Sequence, residues 1–300
     1  RLMGAEVELE TNGCAPFHIK GSRPLRAIHY ELPIASAQIK SAILLAGLAA
    51  DGVTTVAEPA ETRDHTERML PQFGATLARN GNAISIHGGI ELHSCELTIP
   101  GDISAAAFFI AAAVALPGSE LFIREVGLNP TRTAFLSMLV AMGAQISIAD
   151  EKLEGGEAVG SLHIRGGLKQ TQTLEVSGAI VSNLIDELPL LGFLAASVGW
   201  EMTLHDAGEL RFKESDRISA TVESLARMGA DIQEHADGWV LRGGRKLHGA
   251  ELSSFGDHRI AMGCAVAALV ASGPSRIEGG RSAVAVSLPE FWSLLESVSE

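Results

Sequence analysis

Residues 142–167, MGAQISIADEKLEGGEAVGSLHIRGG, contain the pattern that decides the fold. Gly143 follows a helix-like apolar segment, which is typical of a glycine that ends a helix. Alternating apolar and polar residues begin after Ala144 and return in SLHIRGG (161–167), and such alternation predicts strands. The stretch therefore predicts a helix that ends at Gly143 and is followed by two short strands.

The same triplet of an apolar residue, glycine and alanine recurs along the chain. Its copies are Met3-Gly4-Ala5, Phe73-Gly74-Ala75, Met142-Gly143-Ala144 and Met228-Gly229-Ala230. The successive glycines are 70, 69 and 86 residues apart. A strand, an apolar helix, a second strand and an amphipathic helix fit between the triplets. The repeat predicts an α/β protein built from βαβαββ units, of which the first and the last are incomplete.

One helix of each unit is apolar on nearly all sides, which favours deep burial. These helices are expected in SAQIKSAILLAGLAA (36–50), SAAAFFIAAAVAL (104–116), IDELPLLGFLAAS (185–197) and GDHRIAMGCAVAALVAS (256–272). The pair Pro100-Gly101 interrupts the repeat and predicts a domain boundary there. Arg1-Leu2-Met3 is similar to the end of an amphipathic helix, so we expect the first unit to be truncated at its N-terminus.

The amino-acid composition argues against binding to nucleic acid, to metal ions and to a membrane. The net charge is −13 and aromatic residues make up 5% of the 300 residues, so binding to nucleic acid is not expected. The three cysteines (Cys14, Cys95 and Cys264) are far apart and lack metal-ligand spacing, which favours a reduced cytoplasmic protein without a metal site. The longest apolar run, Ala105 to Leu116, is too short to span a bilayer.

Cations recur at one place in each unit. RFKESDRI (211–218) is predicted to open a helix that runs to Met228, although Lys and Arg oppose the dipole of a helix N-terminus. Arg63, Arg132 and Arg217 lie 11, 11 and 12 residues before the glycine that ends their helix. Helix N-termini bind phosphate and carboxylate groups, and an Arg adds bidentate recognition. The recurrence therefore favours an anion-binding role over an exposed, solvated charge.

Other polar residues stand where the apolar helices begin. Asp102 and Ser104 are typical N-terminal capping residues. Arg259 stands in the first turn of an apolar helix and is expected to need an anionic partner, because an unpaired buried charge is unfavourable. Asp186 and Glu187 also enter a buried helix. Capping is expected to explain one of them, and a carboxylate beside cations is suited to be a general base.

Several motifs occur together in one order: SAQIKSAILLAGL, TRDHTERML, PGDISAAAF, NPTRTAF, IDELP, RFKESDRI and GDHRIAM. In this respect the chain resembles the enolpyruvyl transferase family, in its branch that acts on shikimate 3-phosphate. The resemblance implies a two-lobe fold of βαβαββ units, with residues 1–99 as the remaining part of an incomplete first lobe and residues 100–300 as the second lobe.

The resemblance also implies a reaction. The enolpyruvyl group of phosphoenolpyruvate moves to the 5-hydroxyl of shikimate 3-phosphate and phosphate is released, a step in chorismate and aromatic amino acid biosynthesis by the shikimate pathway. Neither a cofactor nor a metal is implied. The complete protein is expected to be a cytoplasmic monomer whose partners are its two small-molecule substrates.

Individual roles are implied in the same way. Asp186 is expected to take the proton of the 5-hydroxyl, and Glu214 to protonate and deprotonate the methylene carbon of phosphoenolpyruvate. Residues expected to bind shikimate 3-phosphate are Ser36, Ala37, Gln38, Arg63, Asp186 and Lys213. Residues expected to bind phosphoenolpyruvate are Gln38, Arg217, His258 and Arg259. Arg132 receives no ligand role.

Two departures and two alternatives accompany the resemblance. A lysine that some members have near the last helix is absent from Val286–Pro289. The motifs with which the family's first lobe begins are not found in this sequence. One alternative is a UDP-N-acetylglucosamine enolpyruvyl transferase, which usually has a loop cysteine that Cys14 matches poorly. The other is a non-catalytic anion-binding remnant. These 300 residues alone are expected to lack turnover.

Overall fold

The computed structural model describes residues 1–10, 13, 15–168 and 172–299. They form two compact units: the first comprises Arg1–Ile99 and Leu153–Glu157, and the second comprises Pro100–Lys152 and Ala158–Glu300. The main division thus falls between Ile99 and Pro100, and the short segment 153–157 belongs with the first unit. The assignment of the units to two enzyme lobes stays a prediction. Cys14 lies outside the described residues.

The first unit contains a hairpin followed by a complete βαβαββ repeat. The hairpin pairs β1 (Glu6–Leu9) with β2 (Phe17–Lys20) in antiparallel register. The next elements are β3 (Leu25–Arg26), β4 (His29–Glu31), α1 (Ala37–Gly47), β5 (Ala50–Asp51), β6 (Val53–Ala57), α2 (His65–Met69), β7 (Leu77–Asn80) and β8 (Ala83–His87). The sheet order is β4-β6-β8-β7; β4 is parallel to β6, and β8 is antiparallel to both of its neighbours.

The second unit starts with a related set of elements. These are α3 (Ile103–Ala115), β9 (Glu120–Gly127), α4 (Ala134–Ala141), β10 (Gln145–Glu154) and β11 (Glu157–Arg165). The strands are ordered β10-β11-β9, and β11 is antiparallel to β9. Gly101 forms a parallel bridge with Val126, which supplies the first strand position of this repeat.

A complete repeat and the start of a further one follow in the second unit. The complete repeat consists of β12 (Thr173–Val176), α5 (Ile180–Leu184), α6 (Leu188–Val198), β13 (Glu201–Leu204), α7 (Arg217–Arg227), β14 (Asp231–His235) and β15 (Gly238–Arg242). Its sheet order, β12-β13-β15-β14, matches that of the first unit. The further repeat contributes β16 (Glu251–Ser253), α8 (His258–Val270), β17 (Arg276–Glu278), α9 (Gly280–Val284) and α10 (Phe291–Ser297), with β16 parallel to β17.

Three of the four triplet glycines end helices as predicted, whereas Gly4 follows a turn. Gly74, Gly143 and Gly229 have φ angles of 87°, 90° and 90°, and each stands between a helix or 3₁₀ turn and the strand that follows. This left-handed conformation is unfavourable for residues with a β-carbon. The glycines therefore explain the triplet, and the predicted βαβαββ repeat is confirmed.

The core of the second unit is built by the apolar helices α3, α6 and α8, which are buried along most of their length. Close approach of α6 and α8 depends on Gly263, because a β-carbon there would lie 2.4 Å from Cδ2 of Phe193. Deep burial was predicted for these helices and is confirmed. Within the described residues, no helix is long and apolar enough to cross a membrane.

The prediction of deep burial is wrong for α1. Its buried residues are confined to Lys40, Leu44 and Gly47, whereas Ile39 and Leu45 are 39% and 48% exposed. The spacing of the buried positions places them on one face of the helix. Apolar composition on several sides therefore does not ensure burial on several sides.

Candidate active site

Only the last two residues of the segment RFKESDRI (211–218) belong to α7. A 3₁₀ turn ends at Phe212, Lys213 has an extended backbone with φ −86° and ψ −157°, and α7 begins only at Arg217. The carboxylate of Asp216 accepts the backbone N–H of Ser219 at 3.1 Å and caps the helix. The prediction that the helix opens at residue 211 is wrong, because Asp216 provides a stronger start signal.

Arg217 is the first residue of α7, and its side chain is 1% exposed. Its Nε donates to Oδ2 of Asp257 at 2.8 Å, and its Nη2 donates to Oε2 of Glu214 at 2.5 Å. Nη1 lies 3.5 Å from Oδ1 of Asp186. A buried guanidinium group is stable only where anions surround it, and these carboxylates meet that need.

Asp257 fixes the other side of this cluster. It caps α8 by accepting the backbone N–H of Arg259 at 2.9 Å, and it also accepts the hydroxyl of Ser215 at 3.0 Å. Burial acts to raise the pKa of Asp257, but the hydrogen bonds and charge of Arg217 outweigh it and hold this pKa below its ordinary value. One ionised carboxylate thus joins the N-termini of α7 and α8.

Arg259 finds its expected anionic partners within the chain. Its Nη1 donates to the backbone carbonyl of Asp186 at 3.2 Å, and its Nη2 lies 3.5 Å from Oδ2 of the same residue. Nη1 is also 3.8 Å from Oε1 of Glu187. The carboxylate of Asp186 therefore lies between two guanidinium groups, those of Arg217 and Arg259, which compensate its negative charge.

Asp186 and Glu187 stand between α5 and α6. Glu187 occupies the capping position of α6, yet its side chain makes no capping hydrogen bond. Its Oε1 instead accepts the hydroxyl of Ser104 at 2.5 Å. Glu187 is therefore not the carboxylate that capping explains, since a hydroxyl on α3 holds it in place.

His258 adjoins the same cluster at the start of α8, and Nδ1 lies 4.0 Å from Oδ1 of Asp257. Burial lowers the pKa of His258 below its ordinary value, and the charge of Arg259 lowers it further, while Asp257 acts in the opposite direction. At neutral pH the imidazole is therefore uncharged. It can donate or accept one hydrogen bond at each nitrogen but adds no positive charge to the site.

Lys213 has a different partner from the two arginines. Its ammonium group forms an ion pair with Glu209, which lies in the preceding 3₁₀ turn. Arg217 and Arg259 share Asp186, so the structure brings these two predicted residues together. Convergence of all three cations on one anionic ligand stays a prediction.

The candidate residues of the first unit flank two helix starts. The Oγ atom of Ser36 accepts the backbone N–H of Ile39 at 3.4 Å and caps α1, which places Ala37 and Gln38 in the first turn. Arg63 stands directly before Asp64, the N-terminal residue that precedes α2. Both places fit the predicted position of anion ligands at helix N-termini.

A buried charge cluster connects these helix starts, and the sequence analysis missed it. Lys40 of α1 is fully buried, with its Nζ 3.1 Å from Oε2 of Glu58 and 2.7 Å from Oε1 of Glu67. Glu58 also accepts the hydroxyl and the backbone N–H of Thr62, at 2.7 and 3.3 Å. The loop that carries Arg63 is thereby tied to α1. A single lysine within SAQIKSAILL was the available signal, because a lysine in a buried apolar face needs carboxylate partners.

The order of the βαβαββ repeats defines an enolpyruvyl transferase fold. The solved enolpyruvyl transferase NikO from Streptomyces tendae is similar in fold, with a TM-score of 0.76 at 18% identity over 99% of this chain and 69% of that chain. At this identity the likeness concerns the fold alone.

Nearer relatives define the family. The sequence model of the protein family EPSP synthase (3-phosphoshikimate 1-carboxyvinyltransferase) matches residues 1–295, and the chain belongs to this family. The enzymes of that name from Syntrophomonas wolfei subsp. wolfei and Prochlorococcus marinus are 47% and 48% identical, over 99% and 98% of this chain and 69% and 67% of their own lengths. A solved EPSP synthase from Acinetobacter baumannii has a TM-score of 0.88 and 41% identity, over 99% of this chain and 68% of that chain.

These relatives decide between the enzyme activities considered from the sequence. They support enolpyruvyl transfer to shikimate 3-phosphate over transfer to UDP-N-acetylglucosamine. The predicted function and transferase class are therefore confirmed at the level of the family. The chain spans about two thirds of the length of these relatives.

Proposed function

We propose that Asp186 and Glu214 carry the proton transfers of enolpyruvyl transfer. Asp186 removes the proton of the 5-hydroxyl as its oxygen bonds to C2 of phosphoenolpyruvate, while Glu214 gives a proton to the methylene carbon. In the second step Glu214 takes a proton back from this carbon, the bond from C2 to the phosphate oxygen breaks, and phosphate leaves. The departing phosphate takes up the proton that Asp186 removed, so both carboxyl groups return to their starting state and protons and electron pairs balance over the two steps.

The observation that carries this proposal is the position of Asp186 between Arg217 and Arg259. Its Oδ1 lies 3.5 Å from Nη1 of Arg217, and its Oδ2 lies 3.5 Å from Nη2 of Arg259. Both arginines are the proposed ligands of phosphoenolpyruvate. A base held by these cations lies beside the substrate that they bind, which is where the attacking hydroxyl must be. Glu214 pairs with the same Arg217 and is half exposed, and its proximity to this proposed ligand supports its assignment to the methylene carbon.

The remaining ligand roles follow the resemblance. The resemblance assigns Ser36, Ala37, Gln38, Arg63, Asp186 and Lys213 as ligands of shikimate 3-phosphate. His258, uncharged at neutral pH, contributes a hydrogen bond to phosphoenolpyruvate rather than a charge. Lys213 pairs with Glu209, and its ammonium group has further N–H donors for a ligand.

Asp186→Asn in the complete protein tests the proposal. The amide keeps the shape of the carboxylate but removes the base, so turnover is expected to fall about 10²- to 10⁴-fold with little change in substrate affinity. Phosphate release measures turnover, and calorimetry measures binding. Asp231→Asn is the matched control, because Asp231 pairs only with the exposed Arg242 and Arg245 among the described residues, each at 3.3 Å. Turnover equal to that of the control contradicts the role of Asp186.

Three properties of the whole protein remain predictions. Lack of turnover by these 300 residues alone is tested by the same phosphate assay. The monomeric state is tested by light scattering after size-exclusion chromatography. Cytoplasmic location is tested by fractionation of cells that produce the complete protein.

A further inference from the structure

Glu187 is a buried carboxylate to which the reaction assigns no role. It is 3% exposed and does not cap its helix. Removing a carboxylate from water is unfavourable unless hydrogen bonds and opposite charges replace the solvent. The surroundings of Glu187 therefore indicate what it does.

A hydrogen-bonded chain leads to this carboxylate. Nη2 of Arg132 donates to Oγ of Ser104 at 2.6 Å and to Oδ1 of Asp102 at 3.0 Å. A guanidinium group can only donate, so the oxygen of Ser104 is the acceptor of that bond. The single hydroxyl proton of Ser104 is then directed to Oε1 of Glu187, at 2.5 Å. Arg132 thus fixes the direction of the next hydrogen bond.

The chain ends at a proposed substrate ligand. Oε1 of Glu187, the same oxygen that accepts from Ser104, lies 3.8 Å from Nη1 of Arg259. That nitrogen also donates to the backbone carbonyl of Asp186 at 3.2 Å. Glu187 and Asp186 therefore hold one edge of the guanidinium group of Arg259.

We propose that Glu187, oriented by Ser104 and Arg132, is a positioning residue that sets the guanidinium group of Arg259 for phosphoenolpyruvate. The inference rests on the proposed role of Arg259 as a ligand of that substrate. The inference also gives a function to Arg132. Arg132 does not contact phosphoenolpyruvate but orients Ser104 and Glu187, which position the guanidinium group of Arg259.

Ser104→Ala removes the link between Arg132 and Glu187 with little effect on packing, because Ser104 lies in a helix of mainly alanine, ISAAAFFIAAAVA. Ser197→Ala is the matched control; its hydroxyl bonds the carbonyl of Phe193 within α6, the helix that Glu187 precedes. Hydrogen bonds to charged groups suggest a rise of about 10- to 100-fold in KM for phosphoenolpyruvate in the Ser104 variant. KM for shikimate 3-phosphate is expected to match the control, whereas the midpoint of urea unfolding is expected to fall below it, because the buried carboxylate of Glu187 loses a hydrogen bond.

Glu187→Gln provides a second test, because it keeps an oxygen that accepts from Ser104 but removes the charge beside Arg259. It is expected to raise KM for phosphoenolpyruvate at least as much as Ser104→Ala. The double variant is expected to be no worse than Glu187→Gln, since both changes act through one carboxylate. Dissociation constants for phosphoenolpyruvate, measured by calorimetry with shikimate 3-phosphate present, should follow the same order.

The outcomes separate this inference from the proposed function. A wild-type complete protein that neither binds phosphoenolpyruvate nor releases phosphate overturns both. An active wild type in which Ser104→Ala behaves like Ser197→Ala overturns the positioning role alone. Equal changes in KM for the two substrates, or additive effects in the double variant, also overturn it.

Discussion

The two complete βαβαββ repeats, residues 29–87 and 173–242, have the same sheet order and bury their apolar helices, α1 and α6, differently. The fourth residue of α1 is Lys40, and the fourth residue of α6 is Leu191; both are fully buried. Lys40 joins carboxylates on α2 and after β6. In the other repeat α6 approaches its neighbours through Gly192, where a β-carbon would lie 3.0 Å from Cζ2 of Trp239.

The comparison shows that strand order and helix packing are set separately. Strand order follows from the turns and the alternating strands that both repeats share. The junction between helix and sheet is ionic in one repeat and apolar in the other. An ionic junction requires every partner, whereas an apolar junction requires the right volume. The two repeats should therefore respond differently to similar substitutions.

The largest difference is expected for Lys40→Met. It leaves Glu58 and Glu67 buried without their shared cation, and is expected to lower the free energy of unfolding of the first unit by about 3–5 kcal/mol. Hydrogen exchange over residues 37–67 at increasing urea concentration measures the effect. Leu191→Met, a swap of similar volume, is the matched change in the other repeat and should cost less than about 1.5 kcal/mol.

A rescue variant sharpens this result. Lys40→Met combined with Glu67→Gln removes one of the two carboxylates that shared Lys40, while Glu58 keeps its ion pair with Arg79 at 3.0 Å, and should recover part of the lost stability. The ionic junction does not stabilise the first repeat if the double variant recovers no stability. The same conclusion follows if Lys40→Met and Leu191→Met lower the free energy of unfolding equally.

Gly263→Ala is expected to have the next largest effect. The new methyl group would lie 2.4 and 2.6 Å from ring carbons of Phe193, and overpacking of this kind costs about 1–3 kcal/mol. Gly47→Ala is the counterpart in α1, where the nearest atom, Cγ2 of Ile86, would be 2.7 Å away. Because Gly47 stands at the end of a partly exposed helix, we expect the smaller loss there. Urea unfolding of both variants measures the two losses of stability. A larger loss of stability for Gly47→Ala than for Gly263→Ala would contradict the prediction.

A smaller effect is expected from pH. The pKa of His258 is lowered in the folded protein by burial and by Arg259. The stability linked to its neutral form is therefore fully present above the unfolded pKa of about 6.5 and is lost as pH falls toward the folded pKa. The free energy of unfolding of the second unit should fall more between pH 7 and pH 5, roughly the range over which histidine titrates, in wild type than in His258→Gln. Parallel pH profiles would exclude this linkage.

The two units also differ in the reactivity of their cysteines, and this difference can be measured without changing the stability of the protein. Cys95 of the first unit is exposed, whereas burial raises the pKa of Cys264 in the second unit to about 12. In a Cys14→Ser background, a thiol reagent should modify Cys95 at once and Cys264 only after unfolding. Mass spectrometry of digested protein assigns the label. Rapid labelling of Cys264 in native protein would show that the apolar core of the second unit opens readily.

The sequence was most informative where structure depends on neighbouring residues. Gly74, Gly143 and Gly229 could be predicted as helix ends because only local backbone geometry is involved. The start of α7 was misplaced because Glu214, Ser215 and Asp216 all favour a helix N-terminus, and only one of them caps it.

Contacts between distant residues could not be predicted in the same way. Ser104 and Glu187 are 83 residues apart, and no periodic pattern connects them. The exposure of α1 was missed for a similar reason, since composition does not tell which helix faces meet a neighbour. The residues of the candidate site were found through recurrence and resemblance, while the partners that hold them required the structure.

The division into two units also separates the chromophores. All three tryptophans (Trp200, Trp239 and Trp292) belong to the second unit, and the single tyrosine, Tyr30, belongs to the first. Emission excited selectively at tryptophan therefore reports the state of the second unit alone. Unfolding of the second unit can thus be followed without attaching a dye, and a tryptophan introduced at Tyr30 would extend the same readout to the first unit.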